Sequence, residues 1–240
     1  FSQRDSLALA QASPGLPNRL DRRSRLMLST ILRGDSGIEQ RQFAARDINQ
    51  LFTLDADALN EEFRQTAPAL AVQALRPALQ EAGVAPAELD ALVVCTCTGY
   101  LCPGLSSYIA EQLGLRPDTW LQDLVGLGCG AAIPALRATE AILASNPDAT
   151  VACVAVEICS AAFYLDNDPG VIISACLFGD GAAASVWKSA PGPSALRCHS
   201  FDTYHEPAER DRIRFEQREG KLRNLLHPSV PALAAGAVKH

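Results

Sequence analysis

Gly126-Leu127-Gly128-Cys129-Gly130-Ala131-Ala132 stands between a short apolar run, Trp120–Val125, and a helical pattern that lasts to about Ala144. Small residues at a strand-to-helix junction let the backbone turn sharply and leave the Cys129 thiol at the positive end of the following helix. That setting lowers a thiol pKa and makes a nucleophile. Outward from this point the chain alternates between strand and helix patterns. Toward the N-terminus, Leu105, Tyr108, Ile109 and Leu113 fall at helical spacing and stop at Gly114, and 91–97 reads as a buried strand. Before it, 67–82 reads as a helix ending at Gly83, with Leu70, Leu75 and Leu79 on its apolar face and Pro77 as a point of irregularity. Toward the C-terminus, 150–156 and 182–187 read as two more strands. Strands alternating with helices imply βαβ units, hence an α/β fold rather than a sandwich or a bundle.

The 240 residues are 48% hydrophobic and 20% charged, too apolar for a disordered chain. A formal net charge of −6 offers no basic surface for a phosphate backbone or an anionic bilayer, so neither nucleic acid nor membrane is expected as a partner. The longest apolar run, about nine residues around 170–178, falls well short of the roughly 18 that a span needs. Phe1-Ser2-Gln3-Arg4-Asp5 has neither a basic n-region nor an apolar h-region, and a cytoplasmic protein is expected. The eight cysteines sit mostly in apolar strand-like runs, as reduced core thiols do. Cys95, Cys97 and Cys102 are close together, but no second Cys-x-x-Cys and no paired-His motif completes a zinc set, so no metal is expected. From about Ser189 the character changes: Pro191-Gly192-Pro193 reads as a linker, dividing the chain into 1–188 and 189–240. The charge-rich 206–223, with Arg210, Arg212, Arg214, Arg218 and Arg223, reads as a solvated hairpin or helix face rather than a binding patch, and the less balanced Arg19, Arg22, Arg23 and Arg25 read as a solvated helix face or as contacts for an anionic ligand.

Several short segments stand in a telling order. They are Val94-Cys95-Thr96-Cys97-Thr98-Gly99, Pro103-Gly104, Leu113-Gly114-Leu115-Arg116-Pro117, Gly128-Cys129-Gly130-Ala131-Ala132 with Leu136-Arg137, Val156-Glu157, and Leu177-Phe178-Gly179-Asp180-Gly181-Ala182-Ala183-Ala184. In this order and spacing the chain resembles type III polyketide synthases, the chalcone and stilbene synthase family of the thiolase superfamily. The resemblance runs from about Asp35-Ser36-Gly37-Ile38-Glu39-Gln40-Arg41 through Arg218-Glu219-Gly220-Lys221-Leu222-Arg223-Asn224.

It implies a thiolase-like layered αβαβα fold, of which 1–188 is the N-terminal half and 189–240 the beginning of the C-terminal half. It implies an acyltransferase that condenses a starter acyl-CoA with malonyl-CoA through a thioester on Cys129, with CoA thioesters as substrates and no cofactor. Phe178 matches the gatekeeper aromatic between CoA tunnel and cavity; by residue type alone it reads as core packing. Cys97, Thr98, Cys159 and Ala162 match cavity-lining positions. Glu157 matches a buried carboxylate beside the cavity, which otherwise reads as a hydrogen-bonded structural acid. Cys102 matches a position that crosses the interface of a homodimer. Gly179-Asp180-Gly181, without the resemblance, is a tight turn.

The departures bear on activity. The family's His-Pro-Gly-Gly-like and Gly-Asn-x-Ser-like segments, which carry the donors for a developing enolate, have no counterpart; His199, His205, His227 and His240 lie outside such a context, and His227 reads as a surface residue. The basic residues that hold CoA are reduced to Arg33, with Arg22, Arg23 and Arg25 upstream. The expectation is a piece of a longer synthase. The alternatives are a synthase completed by another chain, another condensing enzyme of the superfamily, of the priming ketoacyl synthase or hydroxymethylglutaryl-CoA synthase type, or a non-catalytic remnant. Cys97, Cys159 and Ala162, where chalcone-forming members have threonines, imply a wider, less polar wall that favours a fatty acyl starter.

Overall fold

The computed structural model describes residues 1–13, 15–34, 37–45, 47–51, 53–189 and 196–239. The Pro191-Gly192-Pro193 linker, Asp35-Ser36 and His240 lie outside the described residues, as does the side chain of Asn49. Internal contacts group the chain into two compact units. One comprises Phe1–Glu62, Ile158–Asp180 and Thr203–His240; the other comprises Phe63–Glu157 and Gly181–Asp202. Each draws on separated segments, whereas the sequence reading divides the chain once along its length.

The first unit is mainly helical: α1 (Gln3–Ala12), α2 (Leu16–Arg19) and α3 (Arg22–Arg33) precede α4 (Ala56–Ala82), whose first turns belong here. Ser2 caps α1 and Asp21 caps α3, each accepting from a backbone N–H of the first turn. Arg22, Arg23, Arg25 and Arg33 are exposed, as a solvated face requires.

The second unit is built on a four-stranded sheet. Its elements in chain order are β1 (Ala91–Thr96), α5 (Leu105–Leu113), β2 (Trp120–Val125), α6 (Ala132–Ser145), β3 (Val151–Glu157) and β4 (Gly181–Trp187). The strand order is β2-β1-β3-β4, with β1 parallel to both neighbours and β4 antiparallel to β3. All six residues of β1 are buried, because the strand lies between two others and is covered on both faces. Ala91, Val93, Cys95, Val151 and Cys153 pack with Ala135 and Leu143 of α6, while the alternate residues Leu92, Val94, Ala152 and Val154 are equally buried. Gly114 closes α5 in the left-handed conformation (φ 65°).

Helix α4 differs from its expected form. It begins 11 residues before Ala67 and runs as one 27-residue helix through Pro68 and Pro77. Its buried face is Phe63, Ala67, Ala71, Leu75 and Leu79, one residue per turn, and Leu70 lies beside this row rather than in it. Burial of that face outweighs the cost of two missing N–H donors. Phe63 presses on the backbone at Gly99, where any Cβ would collide with its ring.

The remaining elements of the first unit are α7 (Pro169–Leu177), β5 (Ile213–Arg218), β6 (Lys221–Leu226) and α8 (Val230–Ala237). The apolar run around 170–178 is therefore a short core helix, packed among Leu7, Leu16, Leu28 and Leu32. The charge-rich stretch is a hairpin closed by Glu219 and Gly220, both at positive φ, which is the geometry of a two-residue turn. It is not simply solvated. Arg223 is buried and bonds Asp166 at 2.7 Å and Glu216 at 2.9 Å, with Asp168 at 3.4 Å. Mixed charge along one strand divides between faces, and only folding shows which side the carboxylates occupy.

Gly170 sets how closely α7 approaches β6, since a Cβ there would run into the backbone carbonyl of Leu226. Gly170→Ala is expected to cost about 2–3 kcal/mol, the range for overpacking against rigid backbone, read as a lower urea midpoint at unchanged slope. An unchanged midpoint would show that the helix can shift freely. Among the described residues no helix is long and apolar enough to cross a membrane.

Candidate active site

Within the second unit, β2, β1 and β3 run parallel and end on the same edge, where ligand sites of parallel sheets collect. Thr96 is in register with Val125, and Cys95 with Ala155. Two residues on, this register brings Cys97 beside Glu157. The Glu157 carboxylate accepts from Cys97 N (2.9 and 3.1 Å), Thr98 N (3.0 Å), Thr98 Oγ1 (2.7 Å) and Thr96 Oγ1 (3.3 Å). It thus satisfies the donors left where β1 ceases to pair.

From the end of β2 the chain passes through Gly126 (φ 80°) and Gly128 (φ 75°) before Cys129 and α6. Positive φ at both positions requires glycine. This turn leaves Cys129 exposed three residues ahead of the first residue of α6. The Cys97 and Cys129 thiols shift each other's ionisation. The Cys97 thiol brings that of Cys129 down to about 6, against the opposing effects of partial burial and the Glu157 charge. The same interaction, with burial, pushes the Cys97 thiol up. Of the pair, Cys129 is the one favoured as the thiolate, the form that attacks.

The other candidate residues belong to the first unit. Cys159, Ala162 and Phe178 line one cavity of about 40 Å³ together with Phe43, Phe215 and Asn224. Two buried residues outside the lining hold its segments in place. Asp180 accepts from Ala44 N (2.6 Å), Ser160 N (2.8 Å) and Ser160 Oγ (2.6 Å), so the Gly179-Asp180-Gly181 turn also ties down the loop carrying Cys159. Burial raises the Asp180 pKa despite these bonds. Arg41 donates through Nη1 to the carbonyls of Ala175 (2.7 Å) and Phe178 (3.0 Å), capping the end of α7 at the candidate gatekeeper, and its guanidinium carbon stands 5.1 Å from the centroid of the Phe43 ring.

Arg41, Ser174 and Asn224 were not singled out by residue type; a lone arginine or asparagine in a sequence shows nothing of the carbonyls or hydroxyls it will meet. Cys102 is exposed and precedes a cis peptide to Pro103. His227 is exposed and bonds Ser229 in a turn. Among the described residues no three His, Cys, Asp or Glu side chains converge to hold a metal ion.

An α/β sheet with an exposed low-pKa thiol at a helix start, a second thiol that lowers it and a carboxylate tethering the second defines a thiolate-nucleophile class of site. The FAE1/type III polyketide synthase-like family profile matches residues 15–194, and the chain belongs to that family. It is similar to 3,5-dihydroxyphenylacetyl-CoA synthase of Amycolatopsis balhimycina, with 31% identity over 72% of this chain and 47% of that protein. It is also similar to 1,3,6,8-tetrahydroxynaphthalene synthase of Streptomyces griseus, with 27% identity over 82% of this chain and 53% of that one. The chain thus spans about half the length of the curated relatives it matches.

Among solved structures it superposes on PKS-I of the brown alga Ectocarpus siliculosus with a TM-score of 0.86 at 24% identity, covering 99% of this chain and 66% of that one. The tetrahydroxynaphthalene synthase of Streptomyces coelicolor gives 0.81 at 23% identity, covering 97% and 65%. The fold is the thiolase-like α/β fold of type III polyketide synthases. These matches favour that family over the other condensing enzymes of the superfamily.

Proposed function

We propose that the chain is part of a type III polyketide synthase, an acyltransferase that takes a starter acyl group from CoA onto Cys129 and condenses it with malonyl-CoA. The low-pKa thiol of Cys129 beside Cys97 carries this reading. A thiolate attacks the thioester carbonyl, CoA leaves as its thiolate, and the acyl group is held as a new thioester. Cys97 holds its proton beside the attacking sulfur, and Glu157 positions Cys97. Thr98, buried at the same strand end, holds Glu157 in turn. Cys159, Ala162 and Phe178 shape the acyl cavity, whose rings Phe43 and Phe215 support a hydrocarbon-rich starter. No cofactor is needed beyond the CoA thioesters. A cytoplasmic location accords with eight free cysteines.

The test is a labelled-malonyl assay on the full-length gene product with a fatty acyl-CoA and with a coumaroyl-type thioester. Product and CoA release with the fatty starter are expected, at the higher kcat/KM, and Ala162→Thr should narrow the difference. No product with any starter would defeat the reading.

A homodimer is part of the proposal. Strand β2 forms one edge of the sheet, and Trp120 (64% exposed), Leu121 (39%), Val125 (43%) and nearby Ile133 (54%) give that edge an apolar surface. An exposed apolar edge strand pairs with another chain unless it is protected, and a two-fold dimer protects it most simply. Cys102 is also exposed, as a contact with a neighbour requires. Sedimentation at micromolar concentration should give a dimer, and Leu121→Lys should shift it to monomer. A parent that sediments as a monomer refutes it.

A further inference from the structure

The first unit holds a second cavity, of about 40 Å³, among α1, α3 and α7. None of Cys97, Cys129, Glu157, Cys159, Ala162 and Phe178 lines it. Its wall is largely hydrocarbon, from Leu28, Leu32, Ile48, Leu51 and Phe163, and Arg41 is the one charged residue among the described residues that line it.

Arg41 is only 7% exposed. Both of its side-chain hydrogen bonds leave from Nη1, to the carbonyls of Ala175 and Phe178. Its Nε is buried without an acceptor, and among the described residues no carboxylate pairs with the guanidinium. Burial lowers the Arg41 pKa, opposed by the Cys176 thiol. A charge taken out of water in this way is ordinarily paired, because neutral hydrogen bonds to one of its nitrogens do not replace its hydration. The edge formed by Nε and Nη2 makes neither of the two bonds to α7. In a planar guanidinium such an edge presents two parallel N–H groups, the fork that grips a carboxylate.

We propose that this cavity binds a short-chain alkyl carboxylate, with its oxygens on the Nε–Nη2 edge of Arg41 and its hydrocarbon against Leu28, Leu32 and Leu51. The charge selects an anion. The apolar wall selects one with a hydrocarbon tail over phosphate or sulfate, whose remaining oxygens would lie there without donors. Size limits the chain, since a water needs about 10–15 Å³ of such space and the cavity offers about 40 Å³, enough for a carboxylate and a few carbons. Hydrolysis of a short acyl thioester is the class of reaction that supplies this ligand. The site also borders the proposed acyl cavity, because Phe43, Phe163 and Ala175 line both.

The experiment is calorimetric titration of the chain with sodium butyrate, set against acetate, butan-1-ol and sodium chloride. Butyrate is expected to bind about tenfold tighter than acetate, through two more buried methylenes. Butan-1-ol, which lacks the charge, and chloride, which lacks the tail, should each bind at least tenfold more weakly than butyrate. Arg41→Lys keeps a donor for the α7 carbonyls but has no second edge, and it should weaken butyrate at least tenfold. If that variant melts, Ala10→Leu decides, because it fills the cavity from α1, leaves the guanidinium in place and should weaken butyrate as much. No binding of butyrate by the parent, acetate or chloride bound as tightly as butyrate, or a butyrate affinity that survives both substitutions overturns the proposal. Acylation of Cys129 is a separate matter, since none of these titrations depends on it.

Discussion

Incubated with a medium-chain acyl-CoA, the chain should gain the mass of one acyl group, peptide mapping should place it on Cys129, and Cys129→Ala should gain none. The expected effect is complete loss, because the competing thiols are differently placed. Burial pushes Cys95 up to about 12 and Cys176 up to about 11, and it raises Cys153 as well. The pH dependence follows from the direction of the shift. A thiol lowered from 9.0 to about 6 is mostly thiolate at pH 7. Alkylation of Cys129 by iodoacetamide should therefore be nearly flat above pH 7 and fall about tenfold per unit well below 6. Cys97→Ala removes the neighbouring thiol that lowers Cys129 and should move the midpoint upward. A Cys129 profile centred near 9 in the parent, or an adduct on another cysteine, would defeat the assignment.

Replacing Glu157 should give the largest loss of stability. Its carboxylate serves two backbone N–H groups and two threonine hydroxyls at the end of the central strand. Glu157→Leu leaves these donors without their acceptor, at about 1–3 kcal/mol for each buried group, so a total of about 3–5 kcal/mol is expected. Glu157→Gln keeps one acceptor oxygen and should cost about half as much. Urea unfolding measures both, and a leucine variant within about 1 kcal/mol of the parent shows that water or backbone movement meets the donors. The substitutions also act on the nucleophile. The carboxylate opposes the Cys129 thiolate electrostatically, so Glu157→Gln should lower the alkylation midpoint if Cys97 stays in place, and raise it if Cys97 moves away. The two results separate charge from tether.

Strands and turns were legible where a local rule suffices. The run from Ala91 is apolar at every position because β1 is covered on both faces, and Gly83 and Gly114 stop helices because a left-handed residue is needed there. The start of α4 was not legible. Pro68 obscures a helix whose stability comes from the buried Phe63–Ala67–Ala71–Leu75–Leu79 row, a tertiary effect. The charged hairpin is of the same kind, because the sequence shows the arginines but not the acids that bury Arg223.

By itself the sequence determined the alternating α/β order, the glycine-built junction that exposes Cys129, and, through ordered short motifs, the family. These depend on neighbours along the chain, on backbone conformations that particular residues permit, and on the periodicity of burial. Tertiary structure decided what each candidate site residue meets. Cys97 influences the Cys129 thiol because β1 and β2 end side by side, and Glu157 tethers the Cys97 backbone because β3 lies in register on the other side. Arg41 caps α7, and Asn224 meets Ser174, across 134 and 50 residues of chain. Hydrogen bonding and proton sharing act over about 3 Å in space, a distance that packing sets and sequence spacing does not.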